Sequence, residues 1–238
     1  MNNYEYPLRI NRYLFLEKIC SRREADRLVE QGQVMVNGEV AVLGQKINKN
    51  DEVRIDPKTL KKTKEKYYIA FNKPEGVVSH NPQLGEKSTE DYTRKISARL
   101  SPLGRLDKAS HGLMILSNDG TIVDKVLNPK DEHEKEYLVK VDKRITREFI
   151  ANMRKGVNIE GYRTKPAEVS KLDPYLCKIV LTEGKKHQIR RMCAALGYQV
   201  QDLKRIRIQN IRLGKLKSGA IRRIDGKELL EFFESIKH

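Results

Sequence analysis

From Asp56 to Lys66 the chain reads Asp-Pro-Lys-Thr-Leu-Lys-Lys-Thr-Lys-Glu-Lys, with one large apolar side chain among five lysines. Such a run opens on a proline and has too little to bury to offset the entropy of ordering its backbone. It reads as a basic linker, residues 57–66, that divides the 238 residues into a small module over 1–56 and a larger domain over 67–238. A tether of this kind raises the effective concentration of one part at the ligand of the other without any rigid contact.

In the small module Ile10, Tyr13 and Leu14 fall at helical spacing. A second helix is expected after Ser21, with Glu24 closing a capping box, Ala25, Leu28 and Val29 as its buried stripe, and Gly32 as its end. Asn37-Gly38 between runs 33–36 and 39–42 is a strong hairpin signal, and a further strand is expected over 53–55. Arg22 and Arg23 stand directly after the cap, where cations oppose the helix macrodipole. A bound phosphate would reverse that sign, since backbone amides and two guanidiniums would meet one anion. Two solvated arginines, tolerated at a few tenths of a kcal/mol, account for the sequence as well.

Lys and Arg total 48 against 32 Asp and Glu, a formal net charge of +16 spread over both parts, which suits a phosphate backbone as partner. Cys20, Cys177 and Cys193 are odd in number and widely spaced, so neither a disulfide framework nor a zinc site is expected. They read as reduced thiols of a cytoplasmic protein. No run of ~18 apolar residues occurs, and Met1-Asn2-Asn3-Tyr4-Glu5 lacks the pattern of an export signal, so neither membrane insertion nor secretion is expected.

In the larger domain, Gly104-Arg105-Leu106-Asp107-Lys108-Ala109-Ser110-His111-Gly112-Leu113 sets a carboxylate beside a guanidinium in a glycine-bounded turn before the apolar run Leu113-Met114-Ile115-Leu116. That is how a catalytic acid is presented, although Arg105 and Asp107 could equally form a structural ion pair. A strand over 67–71 enters the turn Asn72-Lys73-Pro74-Glu75-Gly76, where Lys73 could meet RNA or simply be solvated. A short helix is expected over 121–127. Tyr137, Val139 and Val141 alternate and share a strand face, where a tyrosine is ordinarily core. Leu181 to Met192 reads as a strand running through a glycine turn into a helix, with Arg190 and Arg191 at its start and Gly197 at its end. Gly184-Lys185 is no P-loop, because the upstream glycine and the following Ser or Thr are missing, and His133-Glu134 is no zincin motif, because position 137 is Tyr. Helices from Thr146, Gln188 and Asp225 should flank the sheet. Asp225 with Glu228 makes a second capping box before Leu229, Leu230 and Phe233, which should dock the last helix on the core.

The segment from Leu8 through Ser21-Arg22-Arg23-Glu24-Ala25 to Asn37-Gly38 resembles the small RNA-binding module named after ribosomal protein S-four, over roughly residues 8 to 56. It departs at Ile10-Asn11, where the module usually has Leu-Asp, an exchange expected to weaken a local polar contact. The Gly104–Leu113 string, the Lys135-Glu136-Tyr137 run and His187-Gln188-Ile189-Arg190 together resemble pseudouridine synthases of the branch that modifies ribosomal RNA at single sites. Asp131-Glu132-His133-Glu134-Lys135-Glu136-Tyr137-Leu138-Val139 is closest to the branch called large-subunit ribosomal RNA pseudouridine synthase F, although the chain stops at His238 without the long basic tail some of those enzymes carry. The resemblance implies an α+β protein: a small α/β RNA-binding module joined to a catalytic domain with a mixed, mainly antiparallel sheet flanked by helices. It implies Asp107 as the catalytic aspartate, Arg190 as its ionic partner, Tyr137 in the cleft against the target base, and Arg105 keeping the nucleotide extruded. Arg22, Arg23, Lys73 and Arg191 are the further RNA-binding candidates.

The implied reaction breaks the bond between ribose and the glycosidic nitrogen, turns the uracil and rebuilds the link at carbon five. It involves no net redox change and no hydrolysis, so no cofactor and no metal is expected. Large-subunit ribosomal RNA is the expected substrate, transfer RNA a second candidate, and the active form a monomer. A base inside folded RNA must be flipped out at a cost of a few kcal/mol, which stacking and backbone contacts offset. Asp107 could attack the ribose, attack the base, or take a ribose proton to give a glycal. All three need an ionised carboxylate near the nucleotide, and the resemblance favours the glycal route. The competing class is a ribosome-associated RNA-binding protein with a silent second domain. An RNA hydrolase is disfavoured by the lack of paired carboxylates for a metal or two histidines placed for acid and base work.

Overall fold

The computed structural model describes residues 4–17, 19–55, 65–94, 96, 100–127 and 132–236. Residues 57–64 of the expected linker, and Asp131, lie outside them. The chain forms two compact units, one of residues 1–66 with the short segment 119–122, the other of residues 67–118 and 123–238.

The first unit contains β1 (Leu8–Arg9), α1 (Ile10–Leu16), α2 (Arg22–Glu30), β2 (Val34–Val36), β3 (Glu39–Val40), β4 (Lys46–Ile47) and β5 (Val53–Ile55). Ile10, Leu14, Ala25, Leu28 and Val29 close a small core with Val34, Val36, Ala41 and Ile47. Ser21 caps α2 by accepting from the Glu24 amide at 3.3 Å. The other half of the expected box is replaced, because Glu24 turns to Arg27 one turn on. Asn37 and Gly38 both take positive φ, 53° and 86°, as a type I′ turn demands, and the sheet order is β3-β2-β5. Asn11 finds a partner of its own, Asp26, at 2.8 Å.

In the second unit the strands are β6 (Tyr68–Lys73), β7 (Ser101–Pro102), β8 (His111–Ser117), β9 (Lys135–Val141), β10 (Asn158–Ile159), β11 (Tyr162–Arg163), β12 (Glu168–Asp173), β13 (Leu176–Leu181), β14 (Val200–Ile208), β15 (Ile211–Arg212) and β16 (Ile221–Arg223). Its helices are α3 (Thr89–Thr93), α4 (Val123–Leu127), α5 (Arg147–Lys155), α6 (Gln188–Ala195) and α7 (Gly226–Ser235). One mixed sheet runs β12-β13-β9-β14-β8-β6-β16, with β7 beside β8 and β15 beside β14, and within it only β8 and β14 pair in parallel. Thr146 caps α5 by accepting from the Phe149 amide at 3.0 Å. The box expected at Asp225 is absent, because Glu228 is held bidentately by Arg222 at 2.6 and 2.8 Å. The face of α7 also differs from expectation: Phe232 is buried and Phe233 sits edge-on to Tyr68 at 5.2 Å, whereas Leu230 is exposed. Among the described residues no helix is long and apolar enough to cross a membrane.

The strand register places Ile179, Tyr137, Arg205, Gly112 and Lys73 in one row across the sheet. Five strands far apart in sequence meet there. Gly112 is required at its place: its φ is 104°, and a Cβ would lie 2.3 Å from the Arg205 carbonyl oxygen.

Candidate active site

Asp107 lies in the loop between β7 and β8, bounded by Gly104 and Gly112, both at positive φ. The loop is irregular, yet each carbonyl from 105 to 109 accepts a hydrogen bond. Arg205 Nη1 donates to Arg105 at 3.4 Å, and the Ser79 hydroxyl to Leu106 at 2.6 Å. The Ser110 amide donates to Asp107 itself at 2.9 Å, the Gly76 amide to Lys108 at 2.8 Å, and Arg190 Nη2 to Ala109 at 2.7 Å. Ser79 also accepts from the Leu106 amide at 3.1 Å, so one hydroxyl fixes both sides of that residue. A backbone saturated in this way fixes where the neighbouring carboxylate sits.

The Asp107 carboxylate, about one-third exposed, has the His187 imidazole 3.5 Å away, Nε2 to Oδ1. Arg190, expected to pair with Asp107, goes elsewhere: besides the Ala109 carbonyl it reaches Ser110 Oγ at 3.4 Å and the Val200 carbonyl at 3.2 Å. It clamps the backbone just after the aspartate. His187 holds a left-handed conformation, φ 53°, at the N-terminus of α6. The turn before it is organised by buried Glu183, which accepts from Gln188 Nε2 at 2.6 Å, the Lys165 amide at 2.9 Å and the Tyr162 hydroxyl at 2.5 Å. Gln188 in turn accepts from the Lys185 amide at 2.9 Å, closing the turn on itself.

Tyr137 is 9% exposed and belongs to the core cluster, and among the described residues its hydroxyl makes no hydrogen bond. Its strand neighbour Arg205 is buried, donating through Nε to the Leu113 carbonyl at 2.7 Å. Lys73 is fully buried and not solvated, donating to the carbonyls of Val77 at 2.7 Å and Pro74 at 3.0 Å. Pairing with Gly112 draws it into β6, where burial, then the Arg205 charge, pull its amine down to about 8, with Asp107 and Glu75 acting the other way. Burial and Arg205 likewise bring Lys135 down to about 8. Arg191 meets Glu160 at 2.7 Å and the Ile159 carbonyl at 3.3 Å, tying α6 to the β10–β11 hairpin. Arg105 is exposed and, among the described residues, makes no ion pair, so the loop salt bridge with Asp107 does not form. Arg22 and Arg23 are exposed in the first turn of α2.

Sequence reasoning gave no role to His187, Ser79, Glu183 or Arg205. His187 was visible inside its motif. A signal for Arg205 lay in Leu203-Lys204-Arg205, where alternation sets an arginine in phase with an inward leucine. No group of three or more His, Cys, Asp or Glu suited to a metal occurs among the described residues.

Residues 67–195 match the RNA pseudouridylate synthase family, and residues 8–53 the S4 domain. The chain is 42% identical to the dual-specificity RNA pseudouridine synthase RluF of Escherichia coli K12, over 97% of this chain and 80% of that protein. It is 32% identical to the ribosomal large subunit pseudouridine synthase B of Bacillus subtilis 168, over 89% of each. A crystal structure of a pseudouridylate synthase superposes with a TM-score of 0.70 at 29% identity, covering 94% of this chain and 99% of that one. Sequence, fold and loop chemistry agree, and the chain belongs to the RNA pseudouridylate synthase family.

Proposed function

We propose that this chain isomerises a uridine of large-subunit ribosomal RNA to pseudouridine, with transfer RNA as a second substrate, and that Asp107 is the catalytic group. The observation that carries the reading is Asp107 itself: a partly exposed carboxylate on a loop whose carbonyls from 105 to 109 are held, facing His187 at 3.5 Å. The substrate choice rests on the names of the relatives, one dual-specificity and one acting on the ribosomal large subunit.

In the reaction the bond from C1′ to N1 breaks, C1′ joins C5, and the proton on C5 is exchanged for one on N1. Asp107 takes the C2′ proton and returns it along the glycal route. Tyr137 stacks against the extruded base, and Arg105 fills the place that base leaves. Arg190 holds the loop and thereby the aspartate. Residues 1–56 form an RNA-binding arm in which Arg22 and Arg23 meet a phosphate, joined by a linker over 57–66 to a catalytic domain over 67–238. The protein acts as a monomer in the cytoplasm, where its RNA is.

Incubating the protein with unmodified large-subunit ribosomal RNA and, separately, transfer RNA, followed by carbodiimide-stopped primer extension, tests this. A new stop at one uridine of the ribosomal RNA is expected. RNA bound without any stop would favour a silent binding protein.

A further inference from the structure

Tyr137 and the Asp107 loop stand on opposite sides of the shortest ladder along the main strand order of the sheet. β9, which carries Tyr137, pairs with β14 along most of its length, and β8, which follows Asp107, pairs with β6 in the same way. Between the two halves, β8 and β14 pair only at Lys204 with His111 and Arg205 with Gly112. Strands joined so briefly have little ladder to hold them in register, and side chains must supply the rest.

Arg205 does this at the row that contains Tyr137. Its backbone is the neighbour of both Tyr137 and Gly112, and the missing Cβ of Gly112 permits that approach. Its guanidinium crosses to the other half, to the Leu113 carbonyl at 2.7 Å just after the loop and the Arg105 carbonyl at 3.4 Å just before Asp107. One planar fork thus holds both ends of the segment carrying the aspartate, from the strand beside the tyrosine. His111 and Asp202, 2.8 Å apart, bridge the join nearer its edge. We propose that Arg205 is a positioning residue for the isomerisation, setting the geometry of Asp107 against Tyr137 across the β8–β14 join. This rests on the catalytic reading of those two residues.

The test measures KM, kcat and thermal melting for wild type, Arg205→Met, Arg205→Lys and Met153→Ala on the modified RNA. Met153 is buried on α5 outside the site, so its variant reports lost stability alone. Misplacing reacting groups by about 1 Å lowers turnover on the order of 100-fold, and that loss in kcat is expected for Arg205→Met. KM for RNA should stay within about threefold, because the remote contacts that bind RNA are intact. Lysine keeps the charge and can satisfy one carbonyl, so Arg205→Lys should recover about tenfold of the loss.

Wild-type kcat in Arg205→Met, a loss no larger than that of Met153→Ala, or no recovery in Arg205→Lys overturns the proposal. If Arg205→Met does not fold, Arg205→Lys decides alone: reduced kcat with unchanged KM supports positioning, and unchanged kcat overturns it. A wild type inactive on every RNA would remove the catalytic reading and this inference with it, whereas an active wild type with an indifferent Arg205 removes the inference only.

Discussion

Asp107 Oδ1 faces His187 Nε2 at 3.5 Å, while Arg190, three residues beyond that histidine, reaches past the carboxylate to the Ala109 carbonyl at 2.7 Å. Support of the aspartate is thus divided: an imidazole at its charge, and a guanidinium at the backbone behind it. Because the pair is partly exposed, its coupling is worth roughly 1 kcal/mol or less. His187→Gln should therefore lower kcat by about tenfold at most, with RNA affinity unchanged. Single-turnover kinetics with saturating enzyme check this, and a loss as deep as that of an Asp107 variant would give His187 a chemical role of its own.

Glu183 gathers three donors at a buried point, so removing it leaves the Tyr162 hydroxyl, the Lys165 amide and the Gln188 amide without an acceptor. Glu183→Ala should cost about 2 to 4 kcal/mol of stability, and Glu183→Gln, which keeps an acceptor oxygen, less. Thermal melting of the two variants side by side measures the difference.

Gly112 and Gly161 both sit at positive φ, but only Gly112 has backbone where a Cβ would go. Alanine at 161 should cost on the order of 1 kcal/mol from conformation alone. Alanine at 112 adds the collision with Arg205 and should prevent the β8–β14 pairing, giving insoluble or unfolded protein. Equal melting temperatures for the two variants would contradict the register described above.

Lys73 and Lys135 have amines pulled from 10.5 down to about 8 by burial and by Arg205. Between about 8 and 10.5 the unfolded chain binds more protons at these positions than the folded one, so their contribution to stability rises with pH across that window. Below about pH 8 both amines are charged in either state and the contribution is level. Urea unfolding at about pH 7 and about pH 10 should show wild type gaining stability relative to Lys73→Met. Parallel pH dependence in the two proteins would mean the amine is not suppressed.

The parts of the structure legible in the sequence are those fixed by neighbours along the chain. Asn37-Gly38 specified its turn because few other residues accept two positive φ values, and the apolar run from Leu113 specified β8. Features set by distant partners were hidden. Lys73 reads as a turn lysine until pairing with Gly112 draws it into the sheet. Glu228 reads as a capping residue until Arg222, on a separate strand, takes its carboxylate. The helical period at 229–233 is legible, but not that Phe232 would face the core and Leu230 the solvent. Of the site, Asp107 and Tyr137 were visible through their motifs. Arg190 was visible too, but as a partner of the carboxylate; that it, Lys73 and Arg205 attach to the backbone carbonyls of that loop was not, because only the fold brings them there.

The most direct test of the catalytic assignment compares wild type with Asp107→Asn on the same RNA, scoring pseudouridine by carbodiimide-stopped primer extension and binding by filter retention. Asparagine keeps the size of the side chain and leaves the carbonyl contacts of the loop in place, so binding should be equal. Loss of the carboxylate should reduce product by about 1000-fold or more, leaving no stop for the variant. A stop of equal strength from both proteins would contradict the account, because the uridine would then be isomerised without the group to which the reaction is assigned.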